Sequence, residues 1–190
     1  ETATKVVAVA KTTTSSSTVP LPIGKPSRIV SLSPSATETL FAIGAGPQVV
    51  AVDSNSNYPP EAPVTDLSAY EPNAEAIAKY QPDLVITDGT NPDLNAQLNK
   101  LGIAVFSSKA PKSLAGVYQQ VEAIGAATGN VAMAGELSTK MQDEISALIK
   151  QGKSQEEVRA HLAALYPSAY ANPQSLQNQW SLPGFMTELK

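Results

Sequence analysis

The side chains that could do chemistry in this sequence gather behind four short apolar runs. Ser33 follows the first. Asp53, Ser54, Asn55, Ser56, Asn57 and Tyr58 follow the second. Asp88, Gly89, Thr90 and Asn91 follow the third, and Ser107, Ser108 and Lys109 the fourth. The set is rich in hydroxyls and amides and poor in catalytic types. Acid–base and nucleophilic catalysis need reactive groups held against each other. Asp53 and Asp88 are the candidates for such a pair, although loop capping or hydrogen bonding to a ligand is the plainer role for each. The single histidine, His161, lies far along the chain on an expected helix, 155–165, and reads as a surface side chain. A Ser–His–Asp triad would require it to fold back, and no G-x-S-x-G elbow is present. With no cysteine there is no disulfide, thiolate metal site or cysteine nucleophile, and one histidine alone does not suggest zinc. Gly44-Ala45-Gly46 follows a helix rather than a strand, and no phosphate-binding glycine loop occurs. The chemistry on offer is recognition. No enzyme activity, metal or cofactor is expected.

The elements that must position these groups alternate. Strands are expected at Arg28–Leu32, Val49–Val52, Asp83–Thr87 and Ile103–Phe106. Each is short, apolar and followed by turn residues. The first helix has the S-x-x-E spacing of a capping box at Ser35–Glu38, carries Leu40, Phe41 and Ile43, and stops at Gly44. A long proline-rich loop, Asp53–Glu71, leads to a helix over 73–80 with Ile77 and Tyr80 inward. Further helices are expected at 92–101 (Leu94, Leu98 and Leu101 on one stripe), at 113–128 (Leu114, Val117, Val121, Ile124) and at 131–149 (Leu137, Met141, Ile145, Leu148). Strand–helix alternation with short links implies parallel pairing. The expected fold is a three-layer α/β sandwich with a four-stranded parallel sheet, followed by a long helix and a helical tail. In such sheets ligands meet the carboxyl ends of the strands, where the polar set falls.

Composition agrees with one folded domain, or one domain plus an appendage. Hydrophobic residues make up 42% of 190, enough for one α/β domain with a core. Thirteen basic against seventeen acidic residues, a net charge of -4, leave no basic stripe for nucleic acid and no polybasic membrane patch. No run reaches the length of an apolar membrane span. Residue 1 is Glu and no leader is legible, so the numbering is expected to start after processing or at a chosen boundary.

The two ends differ from the middle. Residues 1–27 hold a short apolar run, a Lys11–Thr18 run of threonine and serine, and three prolines, and are expected to form a linker or edge extension. Residues 28–130 are expected to form the α/β domain and 131–151 the long helix that follows it. In 152–190, Ser154 and Glu157 stand at capping-box spacing ahead of Val158, Leu162 and Leu165, and a polar remainder carries Trp180, Phe185 and Met186.

Four segments resemble one family in order and spacing. RIVSLSPSATETLFAIG (28–44), VVAVDSNSNYPPEA (49–62), YEPNAEAIAKYQPDLVITDG (70–89) and LNKLGIAVFSS (98–108) are similar to the extracytoplasmic substrate-binding proteins that feed cobalamin, haem or ferric siderophores to ABC importers. The resemblance covers residues 26–149. It implies two α/β lobes joined by a long helix, with the ligand in the cleft between them, in the periplasm or outside the cell, with membrane anchoring through a removed N-terminal segment as one option. The N-lobe half of that cleft would be Ser33, Asn55, Ser56, Tyr58, Tyr70, Asp88, Gly89, Thr90, Asn91 and Lys109. Glu75 of Pro72-Asn73-Ala74-Glu75 would dock onto arginines of the ABC permease, where the plain alternative is a solvated carboxylate near a helix start.

The resemblance favours cobalamin through the Tyr58-Pro59-Pro60 loop. Asn55 and Ala69 stand where aromatic side chains are usual, however, and Lys109 is the only basic rim residue, so haem and a ferric siderophore stay as alternatives. Beyond Lys150 the chain is too short for a second lobe. The expectation is therefore a truncated member, a lobe whose tail packs on it or builds a homodimer, or a degenerate protein-interaction module without a transport role.

Overall fold

The computed structural model describes residues 20–21, 24–154, 157 and 160. Four strands form one parallel sheet in the order β2-β1-β3-β4: β1 Ile29–Leu32, β2 Val49–Val52, β3 Leu84–Thr87 and β4 Ala104–Ser107. Ile29 pairs with Leu84, Val30 with Val85 and Ser31 with Ile86, and Leu84 in turn with Ala104. Because side chains alternate across a strand, this register sorts the core into two clusters. Ile29, Leu84 and Ile86 face α1 (Pro34–Ala42), α4 (Leu114–Thr128) and α5 (Val131–Lys150), packing with Leu40, Val121, Ile124 and Ala134. Val30, Leu32 and Val85 face α2 (Ala74–Ala78) and α3 (Pro92–Lys100), packing with Ile77, Leu94 and Leu98. Helices on both faces bury the central strands β1 and β3 completely, which is why those runs are apolar throughout. The fold is a three-layer α/β/α sandwich that continues into a 20-residue helix.

Local sequence explains the helix boundaries. Asn73, Asn91 and Ser113 each accept a backbone N–H from the third residue on, and so start α2, α3 and α4. Gly129 ends α4 in the left-handed conformation, at φ +70. Two expectations are corrected. The first helix is not opened by a Ser35–Glu38 capping box. Ser33 is its cap, because Pro34 takes the first helical position, where its missing N–H costs nothing. Glu38 then lies in the second turn, where burial raises its carboxyl above the ordinary value. Leu101 leaves the apolar stripe of α3 and is 51% exposed, because the helix ends at Lys100 and the chain turns at Gly102.

The amino-terminal edge of the sheet is tied by polar groups. Asp83 accepts from the Ser27 backbone and hydroxyl and from the Arg28 backbone. Gln48, buried as the last residue of a short 3-10 turn, donates to the carbonyls of Pro26 and Thr128 and accepts from Asn130. After α5, Ser154 and Glu157 exchange the two bonds of a capping box. The Lys153 ammonium at 2.8 Å and the Ser154 hydrogen bonds hold the Glu157 carboxyl down to about 2. His161, Trp180 and Phe185 lie outside the described residues. Among the described residues no helix is long and apolar enough to cross a membrane.

Candidate functional site

The polar rim sits at the carboxyl ends of the strands and is built as two groups. The first joins β1 and β2. The Asp53 backbone N–H donates to the Ser31 carbonyl at 3.1 Å, carrying the β1–β2 ladder one step further. The chain then turns tightly, with the Ser56 N–H on the Asp53 carbonyl and the Ser56 hydroxyl on Asp53 Oδ1. Both residues are buried, and Asp53 Oδ2 has no hydrogen-bond partner. Burial raises the Asp53 carboxyl above its ordinary value, against the opposing pull of the Ser56 hydroxyl and of the Asn55 backbone and side chain. Asn55 is exposed and Tyr58 half-buried on the same loop. The return of this loop is pinned beside β2 by Val52 N–H to the Pro63 carbonyl and Thr65 N–H to the Val52 carbonyl. Ser33 is buried, its Oγ 3.5 Å from the Ala36 N–H and 3.3 Å from the Ser35 hydroxyl.

The second group joins β3 and β4. Asp88 is exposed, and its Oδ1 accepts both the N–H and the hydroxyl of Thr90, at 2.9 and 2.7 Å. Gly89, at φ +74, donates its N–H to Thr87 Oγ1. Asn91 spends its side-chain oxygen on the start of α3. Lys109 is exposed, and its carbonyl accepts from the Gln120 amide, which also reaches Ser108 Oγ.

Two expected residues stand apart from these groups. Tyr70 is 86% exposed on the loop before α2, where it and Glu71 lean on the Ser68 hydroxyl. Glu75 is exposed in the first turn of α2.

Asp53 and Asp88 are not an acid–base pair. Their strands are separated by β1, which places them two strand spacings, about 10 Å, apart. Each is engaged within its own loop. Among the described residues no three acidic or histidine side chains cluster as metal ligands. An exposed face of α5 bears a shallow, wide-open depression lined by Gly135, Glu136, Thr139, Lys140, Asp143 and Glu144, which shares no residue with the rim. Two contributors escape sequence reasoning. Gln120 and Asn95, the latter donating to Ser107 Oγ, are helix residues whose inward aim shows only once the helices are placed. A polar residue one turn beyond a helix cap is the sole signal for Asn95.

A parallel sheet with a hydroxyl- and amide-rich carboxyl edge, leading into one long helix, is an arrangement that comparison can test. The periplasmic binding protein family model matches residues 29–178, well over half of the chain. The chain belongs to the periplasmic binding protein family. The family match continues past Lys150, where the motifs recognised in the sequence end. A cobalamin-binding protein of Halobacterium salinarum is 35% identical over 129 residues, 65% of this chain and 35% of that protein. An uncharacterized ABC transporter substrate-binding lipoprotein of Bacillus subtilis is 33% identical over 135 residues, 68% of this chain and 43% of its own length. The crystal structure of a periplasmic haem-binding protein of Vibrio cholerae is similar at a TM-score of 0.59 and 31% identity, with 65% of this chain and 49% of that one covered. The chain thus spans less than half the length of each of these family members.

Proposed function

We propose that this chain is the ligand-recognising lobe of an extracytoplasmic substrate-binding protein that delivers a metal chelate to an ABC importer, and that it is not an enzyme. The observation that carries the reading is a coincidence of place. The periplasmic binding protein match begins at residue 29 and so spans β1 through α4, whose strand ends form the polar rim, and similar proteins are named as cobalamin- and haem-binding. Ligands of parallel α/β domains meet that edge.

Asn55, Tyr58, Asp88, Gly89, Thr90, Asn91 and Lys109 form the contact surface, with the buried Ser33 and Ser56 supporting it from below and Tyr70 as an aromatic arm on the loop before α2. Glu75, exposed and capped into position by Asn73, is the docking carboxylate for a basic permease surface. Cobalamin is the leading ligand, with haem and ferric siderophores next. Residues 28–130 act as the lobe and 131–151 as the connecting helix.

Calorimetric titration with cyanocobalamin, haem and a ferric siderophore tests the reading. Micromolar or tighter binding of one of them is expected. Failure of all three to bind would remove it.

A further inference from the structure

We infer that Lys109 reads an anionic group, a carboxylate or a phosphate, on the edge of the ligand, and that Gly89 is the seat that holds the lysine in place. The inference rests on the ligand-recognition reading above.

Gly89 adopts φ +74 and has no side chain to fill the space above it. A Cβ there would come within 2.9 Å of Lys109 Cγ, 3.3 Å of Lys109 Cε and 3.2 Å of Ser107 Cβ. The lysine stem therefore lies along the glycine. Its backbone is held as well: Gln120 grips the Lys109 carbonyl at 2.9 Å and Ser108 Oγ at 2.8 Å, and the Ser108 N–H donates to the Thr87 carbonyl at 2.7 Å. A long side chain seated in this way loses less conformational freedom on binding than a free one.

Donors on three neighbouring residues of this group are already engaged. The Gly89 N–H is on Thr87, both Thr90 donors are on Asp88, and the Asn95 amide is on Ser107. Lys109 Nζ makes no ion pair or hydrogen bond among the described residues. On a chain of net charge -4, a lone unpaired cation at the rim decides where an anionic edge settles.

The test uses paired ligands: haem with its dimethyl ester, and cyanocobalamin with cobinamide, which lacks the whole nucleotide, phosphodiester included. Wild type, Lys109→Ala, Lys109→Arg and Gly89→Ala are titrated against all four. Lys109→Ala is expected to weaken the acidic member of the binding pair by about tenfold and its neutralised partner by less than about twofold. Lys109→Arg retains most of the preference, and Gly89→Ala loses part of it. The pair that responds identifies the anion as carboxylate or phosphate. Equal effects of Lys109→Ala on both members, or no effect on either, overturns the inference and leaves the ligand-recognition reading standing. Absence of binding by all four ligands overturns the inference, and absence of ferric siderophore binding as well overturns the ligand-recognition reading.

Discussion

Ser56 and Asp53 are locked together beneath the rim. The serine hydroxyl donates to Oδ1 of the aspartate, both residues are buried, and Oδ2 is left without a partner. This contact shapes the loop that presents Asn55 and Tyr58. Ser56→Ala leaves a buried carboxylate short of its donor, and a hydrogen bond to a charged group is worth about 1.5–3 kcal/mol. A loss of about 2 kcal/mol in urea unfolding is expected, with weaker ligand binding from a loosened loop.

The same carboxyl makes stability depend on pH in an unusual direction. Its folded value lies above 3.8, because burial disfavours the charge. Between 3.8 and that raised value the folded protein keeps a proton the unfolded chain has lost. Stability from this group is therefore greatest at low pH, falls as pH rises through the window and is flat above it. Asp53→Asn cannot ionise. Its stability relative to wild type should climb through the window and hold its gain at neutral pH, as read by unfolding curves from about pH 3 to about pH 7. A difference that shrinks with rising pH would contradict the burial argument.

Helices α4 and α5 touch through Gly125. A Cβ on it would run into the Ala134 Cβ and lie 3.3 Å from the Asn130 carbonyl oxygen. Overpacking of this kind costs about 1–3 kcal/mol, and the gain in helix propensity from Gly to Ala returns up to about 1. Gly125→Ala should lower the melting temperature, and Gly125→Val should lower it further.

Gln48 binds the sheet edge to the α4–α5 junction through Pro26, Thr128 and Asn130. Gln48→Leu keeps the bulk, strands the Pro26 carbonyl and leaves the Thr128 carbonyl with only its bond from Asn130. A destabilisation of about 1–3 kcal/mol in chemical denaturation is expected, above the effect of an exposed substitution.

The proposed docking role of Glu75 can be tested apart from ligand binding. It is exposed and contributes to α2 at most through the helix dipole, about 0.3–1 kcal/mol. Glu75→Ala should leave calorimetric ligand affinity within about twofold while lowering stimulation of the importer's ATPase by about tenfold. Equal stimulation by both proteins would place docking elsewhere.

Local information in the sequence determined the alternation of strands and helices, most helix ends and the list of groups at the strand ends. Apolar periodicity and side-chain caps act over three or four residues, so Asn73, Asn91, Ser113 and Gly129 announce their roles without any tertiary context. The cobalamin-, haem- and siderophore-binding family was legible for the same reason, since its motifs are these local units in series. The tertiary structure alone decided the strand order β2-β1-β3-β4, and with it the separation of Asp53 from Asp88. It also decided that Asp53 is sealed from water while Asp88 is open to it, that Lys109 rests on Gly89, and that Gly125 meets Ala134. Burial and close approach are sums over residues far apart in the chain, and neither residue type nor spacing encodes them locally.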